Sequence, residues 1–133
     1  MEFWHVHNFS GGNKIIFTMD ITSLYTVIPN NEGLQALKLH FFNQRPIKKP
    51  SSESLLRLAE LVLTLSCFSF GDNYYKQING VAMGTKMGPS YANLFVGFIE
   101  SNFFSNYHGP KPDLYKRYID DCGDTSYSKE ELI

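Results

Sequence analysis

Three aspartates stand where apolar chain gives way abruptly to charge. "KIIFTMD" (14–20) is a short, partly β-branched run that closes on Asp20, and it reads as a buried strand. Far along the chain, Tyr115, Tyr118 and Ile119 alternate with Lys116 and Arg117 in a second strand that runs into Asp120 and Asp121. Asp is a poor strand residue, and adjacent like charges repel. If the two strands are neighbours, three carboxylates meet at one edge of a sheet, and their repulsion weakens that edge unless a cation sits among them. Hard carboxylate oxygens suit Mg²⁺ or Mn²⁺.

Two such ions about 3.5–4 Å apart can activate an attacking oxygen and stabilise a leaving one, which is the chemistry of phosphodiester formation and cleavage. A plainer reading stays open at this point. Asp-Asp-Cys-Gly-Asp (120–124) is also a good turn sequence, because Asp and Gly tolerate turn geometry. An Asp after a strand, as at Asp20, is common.

The elements that must position these residues follow from the pattern. After the first strand the chain turns at Pro29-Asn30-Asn31, where Asn31 can cap a helix carrying Leu34, Leu37 and Phe41 at helical spacing. That helix should stop before Pro46. Ser51 can cap a second helix with a polar stripe of Arg57, Glu60 and Thr64; its other faces are apolar, which predicts a mostly buried helix. "CFSFGDNYYKQI" reads as a hairpin with its turn at Gly71-Asp72-Asn73. A loop with Gly80, Gly84 and Gly88 leads to Pro89 in the first turn of a third helix, with Leu94 and Phe98 on one face and Phe95 and Ile99 on the next. The aspartate-bearing strand and a return strand follow. Ser128 with Glu131 resembles a capping box, so the natural protein is expected to continue. The order is β, α, an extra α, β-β, α, β-β. This gives the α+β class and, the extra helix aside, the ferredoxin-like split β-α-β-β-α-β sheet with helices on one face.

Composition bounds the rest. The 133 residues are 43% hydrophobic and 19% charged, enough for one domain with a core and unlike a disordered chain. Net charge is −1, so the strongly basic balance of many nucleic-acid or membrane-surface binders is absent. Local basic clusters (Arg45, Lys48, Lys49; Lys111, Lys116, Arg117) read as solvated surface. Cys67 and Cys122 form no CxxC pattern, which fits a reducing compartment, nuclear or cytoplasmic, and not a secreted one. His5-Val6-His7 lacks the partners of a zinc site. No apolar window is long enough to span a membrane.

Three stretches, "FTMDITSLYTVIP", "NGVAMGTKMGPSYANLFVGFIE" and "YKRYIDDC", resemble in order and spacing the three central palm motifs of reverse transcriptases, with wording closest to Penelope-like retroelements. The resemblance covers much of the chain and implies a partial reverse-transcriptase domain over 1–133, an RNA-directed DNA polymerase palm lacking most of its fingers and thumb. It implies that Asp20, the Ile21 carbonyl and Asp120 hold two Mg²⁺ or Mn²⁺ ions, with Asp121 the paired acid. Tyr118 is then the tyrosine of the Tyr-x-Asp-Asp motif. Tyr25 matches the family's steric gate, whose ring selects deoxynucleotides by occupying the space of a ribose 2′-OH; from the residues alone it also reads as core packing. Met83 and Gly84 would lie under the nucleotide, and Gly88 and Pro89 would belong to a template and primer loop. Many reverse transcriptases have Gln-Gly where this chain has Met83-Gly84, which removes a polar contact.

The implied partners are an RNA template, a DNA primer, a dNTP and the remaining fingers and thumb. With most phosphate-binding surface outside these residues, the near-neutral charge is consistent with the reading. Rival readings are a non-catalytic relic of a decayed element, a carboxylate-dependent nuclease and a protein-interaction domain.

Overall fold

The computed structural model describes residues 15–46, 49–109, 111–112 and 114–126, the side chains of 15–17 and 124–126 excepted. The histidine pair at 5–7, Lys48 and the helix start at 128–132 lie outside the described residues. The chain divides into two compact units, Met1–Asp20 with Gly109–Ile133, and Ile21–His108.

The first unit is a three-stranded antiparallel sheet. Strand β1 (Ile15–Asp20) pairs with β5 (Asp121–Ser126), and β5 pairs with β4 (Leu114–Tyr118), so β5 takes the centre. The neighbouring of β1 and the strand leading into Asp120, posed above as a condition, needs correction: the return strand stands between them. A second correction follows. Ile119 and Asp120 are not strand residues but the two-residue turn joining β4 to β5, and Asp121 opens the return strand. Two-residue hairpin loops need positive φ at their first central position, and Ile119 supplies it at φ 58°. For a β-branched residue this is an uncommon conformation.

The second unit is helical. It comprises α1 (Leu24–Val27), α2 (Asn30–Ala36) running into a π-helical turn (Leu37–Phe42), α3 (Ser52–Leu65), a hairpin of β2 (Cys67–Phe70) and β3 (Asn73–Lys76), and α4 (Gly88–Asn106). The wide turn is closed by the Asn43 N–H donating to the Lys38 carbonyl at 3.0 Å, and the helix ends before Pro46 as expected. The helix begins at Asn30, after Pro29, rather than behind a capping Asn31. Pro89 sits in the first turn of α4, where a missing N–H costs nothing. Tyr91, Ala92, Phe95 and Val96 recur on one helical stripe and are buried with Leu24, Ile28, Leu37, Leu63 and Val81 in the core of this unit.

Ser51 caps α3: its hydroxyl accepts from the Ser54 N–H at 3.1 Å. Ser51→Ala should cost about 1 kcal/mol, read from urea unfolding of the helical unit; an unchanged midpoint would mean that water satisfies Ser54 equally well. The expected burial of α3 is half right. Ala59 and Leu63 are buried, but Leu58, Val62 and Leu65, on another apolar stripe, are exposed.

The split β-α-β-β-α-β pattern calls for β2 and β3 in the main sheet. They form a separate two-stranded sheet instead. Every residue of both strands is exposed, so neither strand has a buried face to set its place in a larger sheet. The hairpin is held locally, by its turn at Gly71 (φ 60°) and by Phe68 stacked on its register partner Tyr75 at 5.6 Å. Among the described residues no helix is long and apolar enough to cross a membrane.

Candidate active site

Antiparallel register places the carboxylates. Asp20 is directly opposite Asp121, and Asp121 is directly opposite Tyr118. Residues directly opposite one another share a face, with Cβ atoms about 4.5–5.5 Å apart. One row across the sheet thus reads Asp20, Asp121, Tyr118, with all three side chains exposed. Asp120 is half-buried and sits in the adjoining turn. All three aspartates therefore occupy one end of this sheet, as the sequence predicts, but Asp121, not Asp120, is the one that faces Asp20.

The opposite row is structural. Cys122, opposite Met19 and Arg117, is buried. Its sulfur accepts from the Tyr115 hydroxyl at 3.5 Å, and its thiol lies 3.9 Å from the Asp120 carbonyl oxygen. The Arg117 guanidinium donates to the Ile119 carbonyl at 2.9 Å. Both main-chain carbonyls of the turn are thereby engaged from the strands that flank it, which holds the strained turn and with it Asp120.

Like charges directly opposite destabilise a sheet. A divalent cation would remove that cost, and the hard oxygens of Asp20 and Asp121 fit one. Among the described residues, however, no group of three or more His, Cys, Asp and Glu side chains is arranged to hold a metal ion. The side chains thus offer an opposed pair with a third carboxylate in the next turn, and not a gathered triad.

In the helical unit the structure brings Tyr25 and the glycine loop together. The Val81 N–H donates to the Tyr25 carbonyl at 2.8 Å. Gly80 (φ 70°) passes so close that a Cβ there would lie 2.7 Å from Thr26 Cα and would overlap the Tyr25 carbonyl. Only glycine fits both demands. Tyr25 itself is half-buried and is not one of the core residues. At the other end of the loop, Gly88 adjoins the Tyr25 ring: a Cβ there would be 3.5 Å from Cε1.

Met83 is 78% exposed, Gly84 (φ 90°) has open space where a Cβ would stand, and Pro89 is exposed. Ile21 is half-buried. Sequence reasoning placed Gly80 in the loop but missed its contact with Tyr25. The Asn79-Gly80 pair signals positive φ, but no local signal names the partner.

No protein-family model matches this sequence, and no curated protein matches it. Solved structures do. An apo telomerase from Candida tropicalis matches with a TM-score of 0.74 at 11% identity, over 94% of this chain and 24% of the telomerase. A telomerase from Candida albicans in complex with a fragment of telomeric RNA matches with a TM-score of 0.70 at 12% identity, over 90% and 24%. A C-terminally truncated form of the Candida tropicalis protein gives 0.64 at 13% identity. The chain spans about a quarter of the length of these telomerases. At such identities the likeness is one of fold alone: the chain is folded like part of these telomerases.

Proposed function

We propose that this chain carries the nucleotidyl-transfer centre of a reverse transcriptase, an RNA-directed DNA polymerase palm from a retroelement whose motifs are worded most like the Penelope-like branch. The observation that carries the reading is the opposed pair Asp20–Asp121 beside a strained turn bearing Asp120. The telomerase-like fold supports it. In the reaction a bond forms between a primer 3′-oxygen and the α-phosphorus of a dNTP, the α–β phosphoanhydride bond breaks, the hydroxyl proton departs and pyrophosphate leaves.

Asp20, Asp120 and Asp121, with the Ile21 carbonyl, would hold two Mg²⁺ or Mn²⁺ ions. These ions would supply hydroxyl activation and charge neutralisation. Tyr25 would exclude a ribose 2′-OH by bulk. The Met83-Gly84 turn, free of a Cβ at Gly84, would let main chain approach the nucleotide closely, with Gly88 and Pro89 beside the template and primer and Tyr118 next to the carboxylates. Fingers and thumb supplied by further polypeptide would grip the substrates.

The test is binding. With MgCl₂, the purified chain should bind a dNTP at millimolar concentration, and Asp20→Asn should abolish the Mg²⁺-dependent part. Primer extension by the chain alone should be slight, because most of the substrate grip lies elsewhere. Absence of Mg²⁺-dependent dNTP binding would sink the reading. Cleavage of nucleic acid without nucleotides present would favour a nuclease instead.

A further inference from the structure

Both ends of Tyr25 face one short segment. The main-chain end is fixed by Gly80 and Val81, as described above. The ring end stands at Gly88, the first residue of α4, where a Cβ would lie 3.5 Å and 3.7 Å from Cε1 and Cδ1 and 3.2 Å from Thr85 Oγ1. Thr85 is itself tethered. Its hydroxyl donates to the Ala82 carbonyl at 2.9 Å, and its own carbonyl accepts from the Gly88 N–H at 3.0 Å. The ring edge and the Thr85 hydroxyl, itself locked into the loop, thus border the same small space that a side chain at Gly88 would fill.

We propose that Gly88 and Thr85 are positioning residues for sugar selectivity: by fixing where the Tyr25 ring stands, they set how strongly the site prefers deoxynucleotides to ribonucleotides. This rests on the reading of Tyr25 as the gate. The space beside the ring decides what each substitution does. An alanine methyl at 88 makes ordinary contact with the ring and asks Thr85 to yield by a few tenths of an ångström. The branched side chain of valine reaches further from that point and must displace the ring, the Thr85 hydroxyl, or both.

The experiment measures Mg²⁺-dependent affinity for dTTP and for UTP's 5-methyl analogue, so that the two ligands differ only in the 2′-OH. Tyr25→Ala should lower the deoxy-to-ribo affinity ratio, and Gly88→Val should lower it by roughly tenfold, the scale on which one methyl-sized contact discriminates. In a Tyr25→Ala background, Gly88→Val should have no further effect on the ratio, because its action passes through the ring. Thr85→Val, which keeps the volume and loses the hydrogen bond to Ala82, is the second variant should Gly88→Val not fold, and it too should lower the ratio. A nuclear Overhauser contact between the Tyr25 ring and the Gly88 Hα, present in the wild type, reports the packing apart from binding.

If Tyr25→Ala collapses the ratio while folded Gly88→Val and Thr85→Val leave it intact, the positioning claim falls and the gate stands. A ratio indifferent to Tyr25→Ala overturns both the gate and this proposal.

Discussion

Gly33→Ala should destabilise the helical unit by about 2 kcal/mol, and Tyr91→Phe should return part of the loss. Elsewhere in a helix the change from glycine to alanine is worth about 1 kcal/mol in the stabilising direction. At Gly33 the added Cβ would overlap the Tyr91 hydroxyl and lie 2.5 Å from Cζ and 3.0 Å from Cε2. Tyr91 is 1% exposed, so the ring has little room to retreat, and overpacking of this kind costs about 1–3 kcal/mol.

The Tyr91 hydroxyl also has no hydrogen-bond partner among the described residues. Burial pushes its pKa up to about 12. Removing the hydroxyl takes away both the closest overlap and an unpaired buried polar group, the latter costing about 1–3 kcal/mol. The pH dependence has a definite sign. Below pH 10 the group is neutral in both states and its contribution is intact. Between pH 10 and about 12 only the unfolded chain sheds the proton, so stability falls through that window. Thermal melts followed by circular dichroism should show this alkaline loss shrink in Tyr91→Phe. A Gly33→Ala protein as stable as the wild type would refute the packing account.

What was legible in the sequence follows from which forces are local. Strand β1 could be read because its apolar run and its closing aspartate are contiguous. The centre of the sheet could not. "DCGDTS" (121–126) is a poor strand sequence, with two aspartates and a glycine. It becomes the central strand because both of its edges find partners, and pairing on two sides overrides propensity. That inversion is why the strand pattern alone does not say which aspartate faces Asp20.

The helical unit teaches the same point in reverse. Its main helices, the Ser51 cap and the position of Pro89 were readable, because caps, periodicity and proline act within a turn. The exposure of Leu58, Val62 and Leu65 was not, since periodicity marks an apolar face without saying what covers it. Nor was Gly33, which reads only as a mildly unfavourable residue in α2 until Tyr91, distant in sequence, is seen against it. Tyr25 lies between these cases: its place after the first strand was legible, but its closeness to Gly80 and Gly88 is tertiary.

Asp121→Asn should uncouple the sheet from magnesium while making the metal-free protein slightly more stable. The two effects have one cause. Asp20 and Asp121 are directly opposed on the same face, and a like-charged pair there costs about 0.2–1 kcal/mol, which the neutral amide removes. The same opposition is what makes a divalent cation welcome. If the pair binds Mg²⁺, melting of the wild type should shift upward with added MgCl₂, by about 1.4 kcal/mol when the free ion is ten times its Kd. Asp121→Asn and Asp20→Asn should lose that response.

Sodium chloride at matched ionic strength separates site binding from screening, because screening acts on all exposed pairs alike. Asp72→Asn, in the exposed hairpin turn, serves as the control for simple removal of a charge. The outcome that would end the metal reading is a wild-type response to MgCl₂ no larger than that of Asp121→Asn. The opposed aspartates would then be only a cost borne by the sheet, and Asp120, for all the strain of the turn beside it, would have no ion to serve.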